Sequence, residues 1–503
     1  MSFRIEPFTD EYTLYLRDES RLTGAADFIC FPTCEDDVQE ALAFARTHGL
    51  CVTTQGGRTG LAAGCVPRGG LILNLSRIDR ILSVETEGDT VLLRVQPGVL
   101  LVNLRKYVAS LRREYGPLFF PPDPTETTAS IGGMTACNAS GARTYAYGAM
   151  RRHVEGLRMI LADGRTVSLR RGQQKADGRR LHLRCDDGSV LDATLPSYRM
   201  PAVKNASGYY IEENMDAVDL FVGSDGTLGV VTEALLRLTD LPAEIWETGC
   251  LFRTERDALD FTDMLRRSCG RLASIEYFDA GALQVLKNRK ARDRALRGIT
   301  DVPDDATSLI FAEIHAPSKD EAFDELRKLT SCLKACGGDP DRTWFGWNPA
   351  GIVRFKDFRH AVPESVNLLI DERRKTDPAV TKLGTDMSVE DRDLRRVFAM
   401  YREGLAETGL QSATWGHIGN NHVHVNILPR NMDDYRRGKQ LYAGWAQQVS
   451  AMGGAVSAEH GVGKLKAAFL ETMYGPAAIE EMRALKRAFD PRFLLDPGNL
   501  FVV

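Results

Sequence analysis

QGGRTGLAAGCVPRGGLILNL, residues 55–75, places Gly56, Gly57, Gly60 and Gly64 directly after one short apolar run and ahead of another. Glycine permits positive φ and close backbone approach, so successive N–H groups in such a turn can converge on a pyrophosphate. The spacing is neither G-x-G-x-x-G nor G-x-x-x-x-G-K-[ST]. Residues 71–75 also read as a strand, where a Rossmann unit would place its crossover helix. The loop therefore serves either a nucleotide outside those two designs or a plain turn between strands, and what accompanies it decides.

Working outward, residues 33–49 carry Val38, Leu42 and Ala45 at helical spacing and stop at Gly49. A strand is expected over 50–54, two more over 71–75 and 91–98, and a helix over 102–116 closed by Gly116. Residues 121–148 are dense in Pro, Gly, Ser, Thr and Asn, which predicts a long functional loop without regular structure. Residues 156–169 read as a hairpin turning at Asp163-Gly164, and 170–195 as a surface insertion. Beyond Leu241-Pro242, helices such as 320–338 alternate with strands such as 308–316. The expected fold is α+β, with a first domain over 1–242, a second over 243–450 and a C-terminal segment over 451–503.

Composition narrows the function classes. With 503 residues the chain exceeds one ordinary core and has room for a large cofactor. A net charge of -4 gives no nucleic-acid surface. The ten cysteines form no C-x-x-C pair, so any iron–sulfur relay lies on another polypeptide. No apolar run is long enough to span a bilayer and the N-terminus lacks a signal-peptide core, so a cytoplasmic address is expected, with peripheral attachment to the inner membrane left open.

Four blocks then carry a resemblance. QGGRTGLAAGCVPRGGLILNL, PPDPTETTASIGGMTACNASGARTYAYGAMRRHVEGLRMILADG (121–164), KNASGYY (204–210) and VGSDGTLGVVTEA (222–234) resemble, in order, the FAD-binding stretches of the vanillyl-alcohol oxidase (PCMH) type of oxidoreductase. The match is closest to its D-lactate dehydrogenase, glycolate oxidase catalytic subunit and D-2-hydroxyglutarate dehydrogenase branch. The resemblance implies an FAD domain of two α+β subdomains and an α+β cap with a ferredoxin-like sheet. It assigns the pyrophosphate to Gly56, Gly57, Arg58, Thr59, Gly60 and Leu61, and the flavin and ribityl chain to Pro122, Asp123, Ser130, Gly132, Gly133, Asn138 and Gly141. Gly226, Thr227 and Val231 fall near the other end of the cofactor. Many relatives carry glycine at the position of Arg58, whose charge would add a phosphate contact. No histidine lies near the loop, so non-covalent FAD is expected.

A second constellation is WGHIGNNHVHVNIL, 415–428. His422, His424 and Asn426 alternate with Val423, Val425 and Ile427, and the turn at Gly419-Asn420-Asn421 can fold His417 back to the polar face. Two imidazoles and a carboxylate suit a divalent metal with an open position, and SAEHGVGKLK (457–466) offers Glu459. By resemblance the ligands are His417, His424 and Glu459, and His460 is the base. Zinc is the first choice of metal, with manganese or iron as alternatives. His422 stands where relatives carry asparagine, and is expected to aim a neutral ring at the flavin rather than join the metal shell. Arg359, in an R-x-x-x-P-E pattern, is similar to the family's substrate arginine; Asn426 and Lys382 are the further substrate candidates, Lys382 at a spacing two residues longer than the family pattern.

The implied reaction is oxidation of a small D-2-hydroxy acid, with electrons passed to a quinone, cytochrome, flavoprotein or separate iron–sulfur subunit; a homodimer is left open. The alternatives are an O₂-using oxidase, an enzyme like alkylglycerone-phosphate synthase, and a flavin-carrying subunit of a larger complex.

Overall fold

The computed structural model describes residues 3–502. Its N-terminal half is built on two sheets. Strands Ile5–Pro7, Phe28–Cys30, Leu71–Asn74 and Val52–Gln55 lie in that order, the last two parallel. The glycine loop is thus the crossover between neighbouring parallel strands, made without a helix, and it stands open beside their ends. Helix Glu35–His48 buries Val38, Leu42 and Ala45 and ends at Gly49, whose φ of 65° lets its N–H return to the Ala45 carbonyl. The second sheet is antiparallel, in the order Ile81–Glu87, Thr90–Val95, Val230–Arg237, Val154–Ile160, Thr166–Arg170. Its last two strands form the hairpin expected at Asp163-Gly164.

Two expectations are corrected. Residues 121–148 hold two short helices, Ile131–Ala136 and Thr144–Tyr147. The Ser130 hydroxyl caps the first by accepting the Gly133 N–H, and Ile131 and Met134 bury into the core, which outweighs the glycine-rich composition. The 170–195 insertion is also more than surface. It forms strands Arg180–Arg184 and Val190–Thr194, whose alternate residues Leu181, Leu183, Leu191 and Ala193 join the same core.

The C-terminal half carries one sheet of eight strands. It runs Trp344–Gly346, Glu244–Phe252, Ser308–Ala316, Leu272–Asp279, Ser412–His417, His422–Ile427, Leu383–Gly384, with Met387–Ser388 also paired to His422–Ile427. The long helix Pro349–Arg374 packs Phe355, Phe358 and Val362 against one face. The other face is covered by helices that include Glu255–Ser268, Lys319–Ala335 and Leu394–Thr408. After helix Met432–Ala451 the chain returns. Helix Ala467–Phe489, broken at Gly475 before Pro476, buries Leu470, Met482 and Phe489 in the core of the N-terminal half. The segment carrying Glu459 and His460 therefore passes between the halves, and the Asp225 carboxylate secures it by accepting the N–H groups of Val462 (3.1 Å) and Gly463 (2.8 Å). Among the described residues, no helix is long and apolar enough to cross a membrane.

Candidate active site

The strands Ser412–His417 and His422–Ile427 form a tight hairpin in which His417 faces His422 across the ladder. Asn421 closes the turn at a φ of 51°, a conformation asparagine tolerates better than most side chains. The hairpin brings His417, His422 and His424 together, and the returning segment delivers Glu459 to them. One Glu459 oxygen lies 3.1 Å from His417 Nε2, 3.6 Å from His422 Nδ1 and 3.9 Å from His424 Nε2. The outer nitrogens of two rings are spoken for. His417 Nδ1 meets Glu276 at 2.7 Å, and His424 Nδ1 donates to the Thr385 carbonyl at 2.9 Å. Such partners fix a tautomer and turn Nε2 inward as a ligand.

His422 is fully buried, and among the described residues neither ring nitrogen makes a hydrogen bond. Its Nε2 lies 2.9 Å from Asp386 but outside hydrogen-bond geometry. Two orphaned nitrogens in a dry interior are costly unless something ligates them. His422 does not line the cofactor cavity described below, which corrects the expectation that it faces the flavin.

Several charged groups around this cluster escaped the sequence reading. Lys204 reaches Glu459 at 3.2 Å; burial opposes the Glu459 charge, yet Lys204 and His417 hold its carboxyl well below the usual range. Asp386 is fully buried and accepts from the backbone of Glu459 and His460, from the Ser457 hydroxyl and from Lys466. Its oxygens are thereby committed to holding the 457–460 segment. His417 is opposed by burial but raised by Glu276, to about 9. Burial lowers His460 below its ordinary value, which keeps the imidazole neutral. The His460 ring stacks on His424 with centroids 5.1 Å apart.

A cavity of about 320 Å³ runs from the glycine loop to this cluster. Gly56, Gly57, Arg58, Thr59, Gly60, Leu61, Ser130, Gly132, Gly133, Gly226 and Val231 line it, as do His417, His424, Glu459 and His460. The backbone there is cut for close approach. A Cβ on Gly56 would meet Ser130 Oγ at 2.1 Å, and one on Gly57 would meet the Thr128 carbonyl at 2.6 Å. A narrow, glycine-walled cleft with chemistry at one end fits an extended dinucleotide.

Other expected contacts are placed differently. Pro122, Asn138, Gly141 and Thr227 stand behind the wall: Thr227, for example, spends its hydroxyl on Tyr209 and the Ser224 carbonyl. Arg58 lines the cleft, but its guanidinium lies over the Tyr15 ring and donates to the Leu14 carbonyl.

A second cavity, about 440 Å³, meets the first at His417 and His424. Arg359, Asp123, Arg143, Glu247, Glu276, Phe278 and Trp415 are among its walls. Arg359 lies 3.8 Å from Glu276. Neither Asn426 nor Lys382 lines this space. The Asn426 amide donates to the His424 carbonyl on its own strand, and Lys382 has Arg21 and Glu19 for charged neighbours.

Comparison with known proteins agrees with this geometry. Residues 241–500 match the family described as FAD linked oxidases, C-terminal domain, and residues 26–170 match an FAD binding domain. The chain is 29% identical to a probable mitochondrial D-lactate dehydrogenase of Danio rerio, over 96% of this chain and 86% of that one. It is 27% identical to the glycolate oxidase subunit GlcD of Bacillus subtilis (94% and 89% covered) and 28% identical to a D-2-hydroxyglutarate dehydrogenase of Xanthomonas citri (94% and 89%). Among solved structures, p-cresol methylhydroxylase superposes with a TM-score of 0.70 at 15% identity (99% and 94% covered). An alkyldihydroxyacetonephosphate synthase gives 0.66 at 15% identity (98% and 82%). At that identity both speak for the fold alone, which is the PCMH type.

Proposed function

The chain belongs to the FAD linked oxidases and is an FAD-dependent oxidoreductase, and from that premise we propose that it oxidises a D-2-hydroxy acid to the 2-keto acid. The observation that carries the reading is the junction of the two cavities: His417 and His424 belong to both, with Arg359 on the side away from the glycine loop. The relatives' names add a common theme, since D-lactate, glycolate and D-2-hydroxyglutarate are all 2-hydroxy acids.

When bound, FAD would take up the hydride from C2 and a divalent metal would polarise the C2 hydroxyl. The chain's own residues divide the rest. Gly56 to Gly60 present backbone to the pyrophosphate of a non-covalent FAD. His417, His424 and Glu459 hold the metal, and His422 completes the shell on its buried side. Three imidazoles and a carboxylate suit zinc, manganese or iron, the latter two taking more open positions. Arg359 receives the substrate carboxylate through its planar fork. His460, kept neutral by burial and oriented by Asp386 from its Nδ1 side at 3.5 Å, takes the hydroxyl proton on its other nitrogen. The halves that make these contributions are proposed as domains 1–242 and 243–450, with 451–503 as the returning segment.

Anaerobic titration of the FAD-loaded protein tests this reading. D-lactate, glycolate, D-2-hydroxyglutarate or a longer D-2-hydroxy acid bleaches the flavin band, and where that substrate is chiral its L-enantiomer does so at least about a hundredfold more slowly. A band untouched by every hydroxy acid overturns the proposal.

A further inference from the structure

The wall of the second cavity is a sheet face, and acids are set along it in register. Glu247 sits opposite Glu313 across the ladder, and Glu313 sits opposite Ser274, two residues from Glu276 on the same face. Three carboxylates side by side in a buried wall are tolerable only with counter-charges. Two have them. Arg143 grips Glu313 through two nitrogens, at 2.7 and 3.1 Å, and Glu276 is held by His417 and Arg359. Asp123, the other acid lining the cavity, is paired with Arg105 at 2.7 Å. Glu247 is different. It is 5% exposed and lines the cavity, yet among the described residues no hydrogen bond or ion pair reaches its carboxyl.

A buried acid facing a cavity without a partner is a recognition group waiting for a donor. Building on the hydroxy-acid reading, we infer that Glu247 reads the far end of the substrate, and that the substrate is a 2-hydroxy acid bearing a hydroxyl or amino donor on its chain. A second carboxylate is the poorest fit there. It would add another acid to the Glu247, Glu313 and Glu276 row; Arg105 and Arg143, both half-buried, are already paired with Asp123 and Glu313, Arg359 serves the first carboxylate, and Lys356, a further cation of the cavity wall, makes no ion pair with Glu247 among the described residues. A plain alkyl chain leaves the Glu247 carboxyl desolvated and unpaired, which is how a polar site rejects an analogue lacking its donor. Burial and the neighbouring Glu313 push the Glu247 carboxyl up from its ordinary value, the mark of a buried charge that lacks a donor.

The test compares chain-matched pairs by anaerobic flavin reduction: D-2,4-dihydroxybutyrate against D-2-hydroxybutyrate, and D-2,5-dihydroxypentanoate against D-2-hydroxypentanoate, with D-2-hydroxyglutarate alongside. The wild type is expected to favour the donor-bearing member of at least one pair by about tenfold or more in kcat/KM, and to favour it over the dicarboxylate. Glu247→Ala brings that ratio close to one. Glu247→Gln, which keeps the shape and one acceptor, retains part of it, and the flavin spectrum reports whether each variant is folded. An unchanged ratio in folded Glu247→Ala overturns the inference, as does a wild type that prefers the dicarboxylate. Reduction by none of these acids overturns the inference, and only if lactate and glycolate fail as well does the hydroxy-acid reading itself fall.

Discussion

Replacing His460 with asparagine slows substrate-dependent bleaching by about two to four orders of magnitude while FAD stays bound. The asparagine keeps the backbone N–H that donates to Asp386 at 3.0 Å, so the segment remains in place. What it loses is the neutral imidazole at the end of the cofactor cavity, stacked on His424. Without that base the hydroxyl must give its proton to water, a far weaker acceptor. Stopped-flow reduction at saturating hydroxy acid measures the effect directly. A loss smaller than about threefold would move the proton acceptor elsewhere.

Asp386→Asn produces the second large effect, and it is structural. The carboxylate is fully buried and ties the 457–460 segment to Lys466. Burial opposes its charge, but the Lys466 ammonium keeps it well below the usual range. Neutralising it strands the Lys466 ammonium, only 8% exposed, without its 2.5 Å partner. Breaking a buried pair from one side costs about 3–5 kcal/mol, far more than the pair contributes net. Urea denaturation followed by flavin fluorescence should show that loss. Changing Lys466 to methionine in the same chain recovers part of it, because the unpaired charge is gone. Single and double variants of equal stability would show that Asp386 is no keystone.

These two residues mark what could and could not be read from the chain. His460 was visible because Glu-His-Gly-Val-Gly is a local pattern, as was the alternation of His422, His424 and Asn426 on one strand. The glycine loop was legible for the same reason, since its strand partners flank it directly. Asp386, Lys204 and Glu276 carry no local signal: Lys204 meets Glu459 across 255 residues of sequence, and only the folded tail brings them together. Strand register likewise set Glu247 beside Glu313, which no spacing along the chain reveals. The helices in 121–148 were hidden by composition, because a single serine cap and two buried side chains outvoted the glycines. His422 misled for a different reason. A strand pattern says which face a side chain takes, but not whether that face meets a cleft or a closed cluster.

Anomalous diffraction from crystals of the FAD- and metal-loaded protein would locate any bound ion. One peak is expected, with His417 and His424 ring nitrogens and a Glu459 oxygen each about 2.0–2.3 Å away, at the end of the cleft that begins at Gly56. A fully active enzyme whose ion lies elsewhere, or whose crystals show none, would contradict the account.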